Sequence, residues 1–197
     1  MAKNLFLTGR VKCGKSTLIK QEITPFLGHV GGYFVQRIFC SGQHCGFKMV
    51  ELLDQESYIL EKEFGSINEE KDLVVYLSEN GCWKTCINTF EETGVEILER
   101  SYNSGKKVIL MDELGRVERF APRFQNMVHM LLDDPVYVLG VLKKEENLFL
   151  DGIRERNDVF VIDLDIWDYQ EAVEKVHSFL VDVFVAVMAK PGNDENS

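Results

Sequence analysis

The sequence predicts an α/β fold in which a mostly parallel sheet has helices on both faces. Apolar runs typical of buried strands alternate with segments whose apolar residues recur at helical spacing. A glycine-containing loop, 9–16, lies between the first apolar run and the first helical pattern. A later apolar run, Val108–Met111, ends in Asp112 and Glu113. Carboxylates at the end of a buried strand are expected in the crevice where α/β sheets bind ligands.

The predicted strands are short apolar runs, and two of them form a β-hairpin after the first helix. Gly42 in the link between Gly32–Phe39 and Gly46–Leu53 suits a tight turn. The segment 54–80 is polar and mixed, with one weaker strand. The predicted strands are Leu5–Leu7, Gly32–Phe39, Gly46–Leu53, Leu73–Leu77, Val108–Met111, Val136–Val141 and Val159–Ile162.

The predicted helices place apolar residues on one face at intervals of three and four. Thr89 and Glu92 match a capping box at the start of the second helix. Asp168 and Glu171 occupy capping positions of the last one, whose apolar stripe extends to Val187. The predicted helices are Ser16–Phe26, about Asn88–Ser104, one with Phe120, Phe124, Met127, Val128 and Leu131 on its inner face, Leu148–Arg154, and the last helix.

The loop 9–16 matches G-x-x-x-x-G-K-[ST], the pattern of a phosphate-binding loop. Gly9 and Gly14 allow the backbone to approach phosphate oxygens, and N–H groups at the start of the following helix face the negative charge. Lys15 is expected to contact the β- and γ-phosphates, and the Ser16 hydroxyl to hold Mg²⁺. The predicted nucleotide-binding residues are Gly9, Arg10, Val11, Lys12, Cys13, Gly14, Lys15, Ser16 and Thr17.

Asp112 and Glu113 complete a predicted site for phosphoryl chemistry. Asp112 is expected to bind the Mg²⁺ shell, and Glu113 to orient or deprotonate an attacking water. The alternative is two acids in a solvated loop, which the phosphate-binding loop disfavours. A glutamate beside this aspartate usually accompanies a strand inserted between the two motif strands, so we expect a three-layer P-loop NTPase fold of the RecA-like type.

Several positively charged residues are candidates for contact with the γ-phosphate. Arg116 is the first candidate for a catalytic arginine, followed by Arg154 and Arg156, and a local salt bridge is an equal alternative for each. Lys143 and Lys144 follow a strand at its ligand-facing end. They could contact phosphate or base, but exposure to solvent is the favoured interpretation.

Composition indicates one domain, residues 1–189, followed by a flexible tail, 190–197. The 197 residues are 45% hydrophobic, enough for one sizeable core. The net charge of −10 disfavours nucleic acid and anionic membranes as partners. No signal peptide is visible, so we expect a cytoplasmic protein, with a monomer favoured. The five cysteines are an odd number and are predicted to be free thiols without a metal; they are Cys13, Cys40, Cys45, Cys82 and Cys86.

The segment 112–118, Asp-Glu-Leu-Gly-Arg-Val-Glu, resembles the D-E-I-G-K-M-E signature of the thermophile-type nucleoside-triphosphatase family. Arg116 stands in place of the family's lysine. The resemblance spans roughly residues 4–163 and implies slow Mg²⁺-dependent hydrolysis of ATP, GTP and other nucleoside triphosphates to diphosphate and phosphate. Further similar segments are Gly32-Tyr33-Phe34, Gly46-Phe47, Phe90-Glu91 and Ile153–Asp158.

The chain also departs from this family pattern. Residues 10–13 fill a loop that is usually small and rich in proline and glycine, and 43–45 lack the usual arginines. The family's N-R-D segment is not preserved in 165–168. A kinase for a nucleotide or other small molecule, and a nucleotide-dependent switch or adaptor, therefore stay open as alternatives.

Overall fold

A mixed sheet forms the centre of the molecule. The computed structural model describes residues 2–67 and 70–188; the predicted tail 190–197 lies outside this range. The described strands are β1 (Asn4–Thr8), β2 (Val30–Cys40), β3 (Gln43–Glu51), β4 (Glu61–Phe64), β5 (Leu73–Leu77), β6 (Trp83–Thr85), β7 (Val108–Leu114), β8 (Tyr137–Leu142) and β9 (Val159–Asp163).

The strand order is β6-β5-β3-β2-β7-β8-β1-β9, and β4 pairs with the end of β2. The five strands from β2 to β9 in this order are parallel, whereas β3, β5 and β6 extend the sheet in antiparallel fashion. Strand β8 lies between β1 and β7. This confirms the predicted strand inserted between the two motif strands, and it places the carboxyl ends of all three strands side by side.

Helices cover both faces of the sheet, as predicted. The first face is packed by α1 and α5, with Leu18, Ile19 and Val176 fully buried. The second is packed by α2, α3 and α4, with Leu98 and Phe124 fully buried. The helices are α1 (Lys15–Ile23), α2 (Val95–Asn103, after a π-helical turn Thr89–Gly94), α3 (Pro122–Asp133), α4 (Leu148–Arg154) and α5 (Tyr169–Met188).

Three predicted helix details are wrong. Helix α1 ends at Ile23 rather than Phe26, and a 3₁₀ turn containing Pro25 follows because proline lacks the N–H of a continuing helix. The Thr89 capping box does not form, since the Thr89 hydroxyl donates instead to the Leu73 carbonyl at 2.5 Å. Phe120 is 56% exposed in the turn before α3 and does not belong to its inner face. By contrast, Asp168 accepts from the N–H groups at the start of α5, as predicted.

The sequence patterns missed two strands and one covalent bond. Strand β4 is highly charged and β6 has three residues, all exposed, so neither shows the apolar run of a buried strand. Cys40 and Cys45 form a disulfide across the β2–β3 turn, so the prediction of free thiols is wrong for this pair. Cys13, Cys82 and Cys86 are free. In the described ranges, no helix combines the length and apolar character needed to cross a membrane.

Candidate active site

The phosphate-binding loop connects β1 to α1 at the carboxyl edge of the sheet. Gly9 and Gly14 adopt positive φ angles of 135° and 98°, the conformations for which the motif requires glycine. The Arg10 N–H donates to both carboxylate oxygens of Asp165 at 3.1 Å. The segment after β9 therefore anchors the start of the loop.

Lys15 is buried, and its side chain folds back to contact the phosphate-binding loop. Its ammonium group donates to the carbonyl oxygens of Gly9 at 2.9 Å and Arg10 at 2.8 Å, and lies 3.5 Å from the Cys13 sulfur. The cation is thus held where the loop would surround a phosphate group. An incoming phosphate would offer it a charged acceptor in exchange for neutral carbonyls.

A cavity of about 470 Å³ opens in front of this loop. Six of the nine predicted loop residues line it; within the described ranges, Gly9, Arg10 and Cys13 do not. The sequence patterns did not identify the opposite wall, which β2, β3 and the start of β4 form. The lining residues are Val11, Lys12, Gly14, Lys15, Ser16, Thr17, Val35, Arg37, Phe47, Leu60, Glu61, Asp112, Glu113 and Lys143.

Asp112, at the end of β7, meets Ser16 inside this cavity. The Ser16 hydroxyl donates to Asp112 Oδ1 at 3.1 Å, while Oδ2 is buried with no partner among the described residues. Burial raises the pKa of the Asp112 carboxyl to about 7, and the negative charge of Glu113 adds to this effect. An orphaned carboxylate oxygen beside a hydroxyl is the hard-oxygen donor set that a divalent cation such as Mg²⁺ prefers.

Glu113 and Lys143 form an ion pair across the cavity, with 2.7 Å between Glu113 Oε1 and Lys143 Nζ. The sequence favoured an exposed Lys143, but the insertion of β8 between β1 and β7 places it beside the predicted catalytic pair. Lys144 instead pairs with Asp163 and Asp165 outside the cavity. The strand order determines that Lys143 lines the cavity and Lys144 does not, and a single sequence reveals strand order only indirectly.

The three candidate arginines do not line the cavity. Arg116 is exposed, so its catalytic role stays a prediction. Arg154 donates to the Lys143 carbonyl and, at 3.1 Å, to the Glu145 carbonyl, which stabilises the segment between β8 and α4. Arg156 pairs with Asp158 at 2.8 Å. Both arginines therefore have structural partners.

Glu118, the last residue of the D-E-L-G-R-V-E segment, is 3% exposed, and one of its oxygens has no partner in the part of the chain described. Burial raises the pKa of the Glu118 carboxyl to about 7. The N–H groups of Glu118 and Gly115 and the charge of Lys143 oppose this rise, whereas Glu113 adds to it. Lys143 thus lies in the field of two carboxylates.

Residues 4–177 match the model of a protein family described as NTPase. The chain belongs to this family. Curated relatives agree with the assignment. The nucleoside-triphosphatase THEP1 of Thermotoga sp. (strain RQ2) is 28% identical over 89% of this chain and 94% of its own length. The human cancer-related nucleoside-triphosphatase is 26% identical over 83% of this chain and 89% of its own length. The resemblance predicted from segment 112–118 is therefore confirmed.

Two solved structures share the fold. The crystal structure of THEP1 from Aquifex aeolicus superposes with a TM-score of 0.66 at 24% identity, covering 90% of this chain and 98% of that one. The solution structure of the human cancer-related nucleoside triphosphatase gives 0.63 at 23% identity, covering 96% and 100%. These matches confirm the predicted α/β fold of the P-loop NTPase type.

Proposed function

We propose that this protein is a Mg²⁺-dependent nucleoside triphosphatase that hydrolyses ATP, GTP and related nucleotides to diphosphate and phosphate. The observation that supports this most directly is the convergence of Lys15, Ser16, Asp112 and Glu113 on one cavity. Lys15 and Ser16 begin α1, and Asp112 and Glu113 lie near the carboxyl end of β7, almost a hundred residues later, yet Ser16 and Asp112 are in hydrogen-bond contact. Membership of the NTPase family supports the same reaction class.

In this proposal each side chain has one chemical role. Lys15 and the N–H groups of the loop neutralise the phosphate oxygens, and Ser16 and Asp112 would hold Mg²⁺. Bound there, the ion would supply stabilisation of the negative charge on the phosphate oxygens. Glu113 orients a water molecule and accepts its proton while the water oxygen bonds to the γ-phosphorus. The bond from that phosphorus to the β-phosphate oxygen breaks, and the diphosphate leaves with the electron pair.

A small-molecule kinase is the second candidate, because the cavity extends beyond the phosphate-binding loop to a wall of mixed character. Arg37 lies over the Phe47 ring, 5.9 Å from its centre, and pairs with Glu61 at 2.9 Å. Such a wall could hold a phosphate acceptor. Phosphate transfer to a panel of nucleoside monophosphates and small alcohols at a rate well above hydrolysis would favour the kinase.

The test of the hydrolase is phosphate release from ATP, GTP, CTP and UTP, with and without Mg²⁺. Glu113→Gln keeps the shape of the side chain but removes the base, so we expect nucleotide binding to persist and turnover to fall by about 10²–10⁴-fold. Lys15→Ala should lose both binding and turnover. Glu99→Gln, the same change at an exposed position on α2, is the matched control and should leave turnover unchanged. Turnover that survives Glu113→Gln would refute the role of Glu113.

A further inference from the structure

We propose that Lys143 gives up its ion pair with Glu113 and binds the terminal phosphate of a nucleoside triphosphate. Lys143 thereby distinguishes a triphosphate from a diphosphate. This inference rests on the proposed function, since it concerns the same cavity. It assigns a charge-stabilising role to the lysine that directly follows the inserted strand β8. Arg116 is exposed, and Arg154 and Arg156 are engaged with structural partners, so none of the three supplies this charge from its observed position.

The backbone fixes where Lys143 emerges. Strand β8 pairs with both β1 and β7, so the residue after it lies between the phosphate-binding loop and the two carboxylates. The Lys143 N–H donates to the Leu114 carbonyl at 2.8 Å, and its carbonyl accepts from Arg154. Only the side chain is therefore free to change partner.

Gly115 provides the space for the Lys143 side chain. A Cβ atom at position 115 would lie 2.7 Å from Lys143 Cδ, closer than atoms in contact allow. The absence of a side chain at 115 thus permits the aliphatic part of Lys143 to pass beside β7. Its ammonium group then enters the cavity that Lys15, Ser16 and Asp112 also line.

The charges around Lys143 keep it protonated. Burial, the largest single effect, lowers the pKa of Lys143, but the Glu113, Glu118 and Glu145 carboxylates together outweigh it and raise the pKa above its ordinary value. The side chain is 43% exposed, which leaves space for it to change partner. A terminal phosphate bound at Lys15 carries more negative charge than a carboxylate and offers three oxygens, so it competes with Glu113 for this cation.

The exchange has a functional consequence. While Lys143 holds Glu113, one carboxylate oxygen is occupied by the ammonium group. When the terminal phosphate takes Lys143, Glu113 is freed to hold the attacking water. A diphosphate lacks the terminal group, so the Glu113–Lys143 pair persists with diphosphate bound.

The test compares binding of a non-hydrolysable ATP analogue and of ADP, measured by calorimetry with and without Mg²⁺. Lys143→Met should weaken the analogue by about tenfold or more, the effect of one charged hydrogen bond, and should leave ADP affinity within about twofold. Lys143→Arg should restore most of the preference. Lys107→Met removes the same charge at the opposite end of β7, outside the cavity, and should change neither affinity.

Equal weakening of both nucleotides, or of neither, would overturn the assignment and leave Lys143 as a structural partner of Glu113. Thermal melting of each variant separates these results from misfolding, and Lys143→Arg keeps the cation if the methionine variant fails to fold. Wild-type protein that releases no phosphate but shows a Lys143-dependent preference for the triphosphate would refute the proposed hydrolysis while supporting this inference.

Discussion

At the scale of single residues, two acids are buried in spite of their charge: Asp112 on β7 and Glu118 in the 3₁₀ turn that follows this strand. Asp112 is 1% exposed and Glu118 is 3% exposed, and each has an oxygen without a partner in the described structure. An ionised carboxylate loses hydration on burial, and this raises the pKa of both groups to about 7 in the folded protein. A cation bound near Asp112 would therefore compensate the charge of its carboxylate. Glu118 lies close enough to Lys143 for the lysine charge to lower the pKa of Glu118.

This arrangement makes stability depend on pH, with a definite sign. The pKa of Glu118 is 4.5 ordinarily and about 7 in the folded protein. Between these values the folded state binds a proton that the unfolded state does not, so the free energy of unfolding contributed by Glu118 falls as pH rises. A shift of this size corresponds to a loss of up to about 3 kcal/mol, complete above pH 7.

Glu118→Gln removes this titration while keeping the length of the side chain. Relative to wild type, the variant should gain up to about 3 kcal/mol of unfolding free energy between pH 4 and pH 8. Urea denaturation across this pH range measures the gain. Glu99→Gln, on the exposed surface of α2, should follow the wild-type curve. Parallel curves for wild type and Glu118→Gln would show that Glu118 does not titrate with a raised pKa.

At the scale of elements, local sequence patterns predicted the helices and strands that are defined by burial of apolar residues. Leu73–Leu77 and Leu148–Arg154 form the predicted strand and helix with the predicted ends. Leu73 and Val74 in the strand, and Phe149, Leu150 and Ile153 in the helix, are buried as their patterns predict, whereas Leu148 is exposed. Strands β4 and β6 escaped prediction because pairing with neighbouring strands, rather than apolar burial, defines them. The position of Lys143 in the cavity was not predicted for a related reason. It depends on which strands pair with β8, and those strands are distant in the sequence.

The contact between β2 and β7 depends on one glycine. Gly32 has φ of +102°, and a Cβ atom there would lie 2.0 Å from the Leu110 carbonyl oxygen. Gly32→Ala should therefore lower the free energy of unfolding by about 4 kcal/mol or more, the range of severe core substitutions. Gly28→Ala, where nothing lies within 4 Å of the added atom, should change it by no more than about 0.5 kcal/mol. Urea denaturation of the two variants would contradict this if the changes were equal.

At the scale of the whole molecule, the parallel and antiparallel parts of the sheet share one core. Met49 on β3 and Val74 on β5 belong to the same buried cluster as Phe6, Ile109 and Phe124. Strand β2 also pairs with β7 on one side and β3 on the other. The cavity wall formed by β2 and β3 is therefore continuous with the core beneath Asp112 and Glu113. The single-domain organisation stays a prediction.

Two tryptophans report on opposite edges of this sheet. Trp83 lies on β6 at one edge, and Trp167 packs against Phe160 of β9 at the other, with ring centres 5.8 Å apart. A shared core implies that both edges of the sheet unfold together. Trp83→Phe and Trp167→Phe each retain one tryptophan as a fluorescence probe. After the stability of each variant is measured by circular dichroism and corrected for, their fluorescence transitions should have the same urea midpoint. An earlier transition at Trp83 would instead mean that the antiparallel edge unfolds separately. In that case the wall containing Arg37 and Phe47 could open without loss of the phosphate-binding loop, and nucleotide affinity would outlast the Trp83 signal in a urea titration.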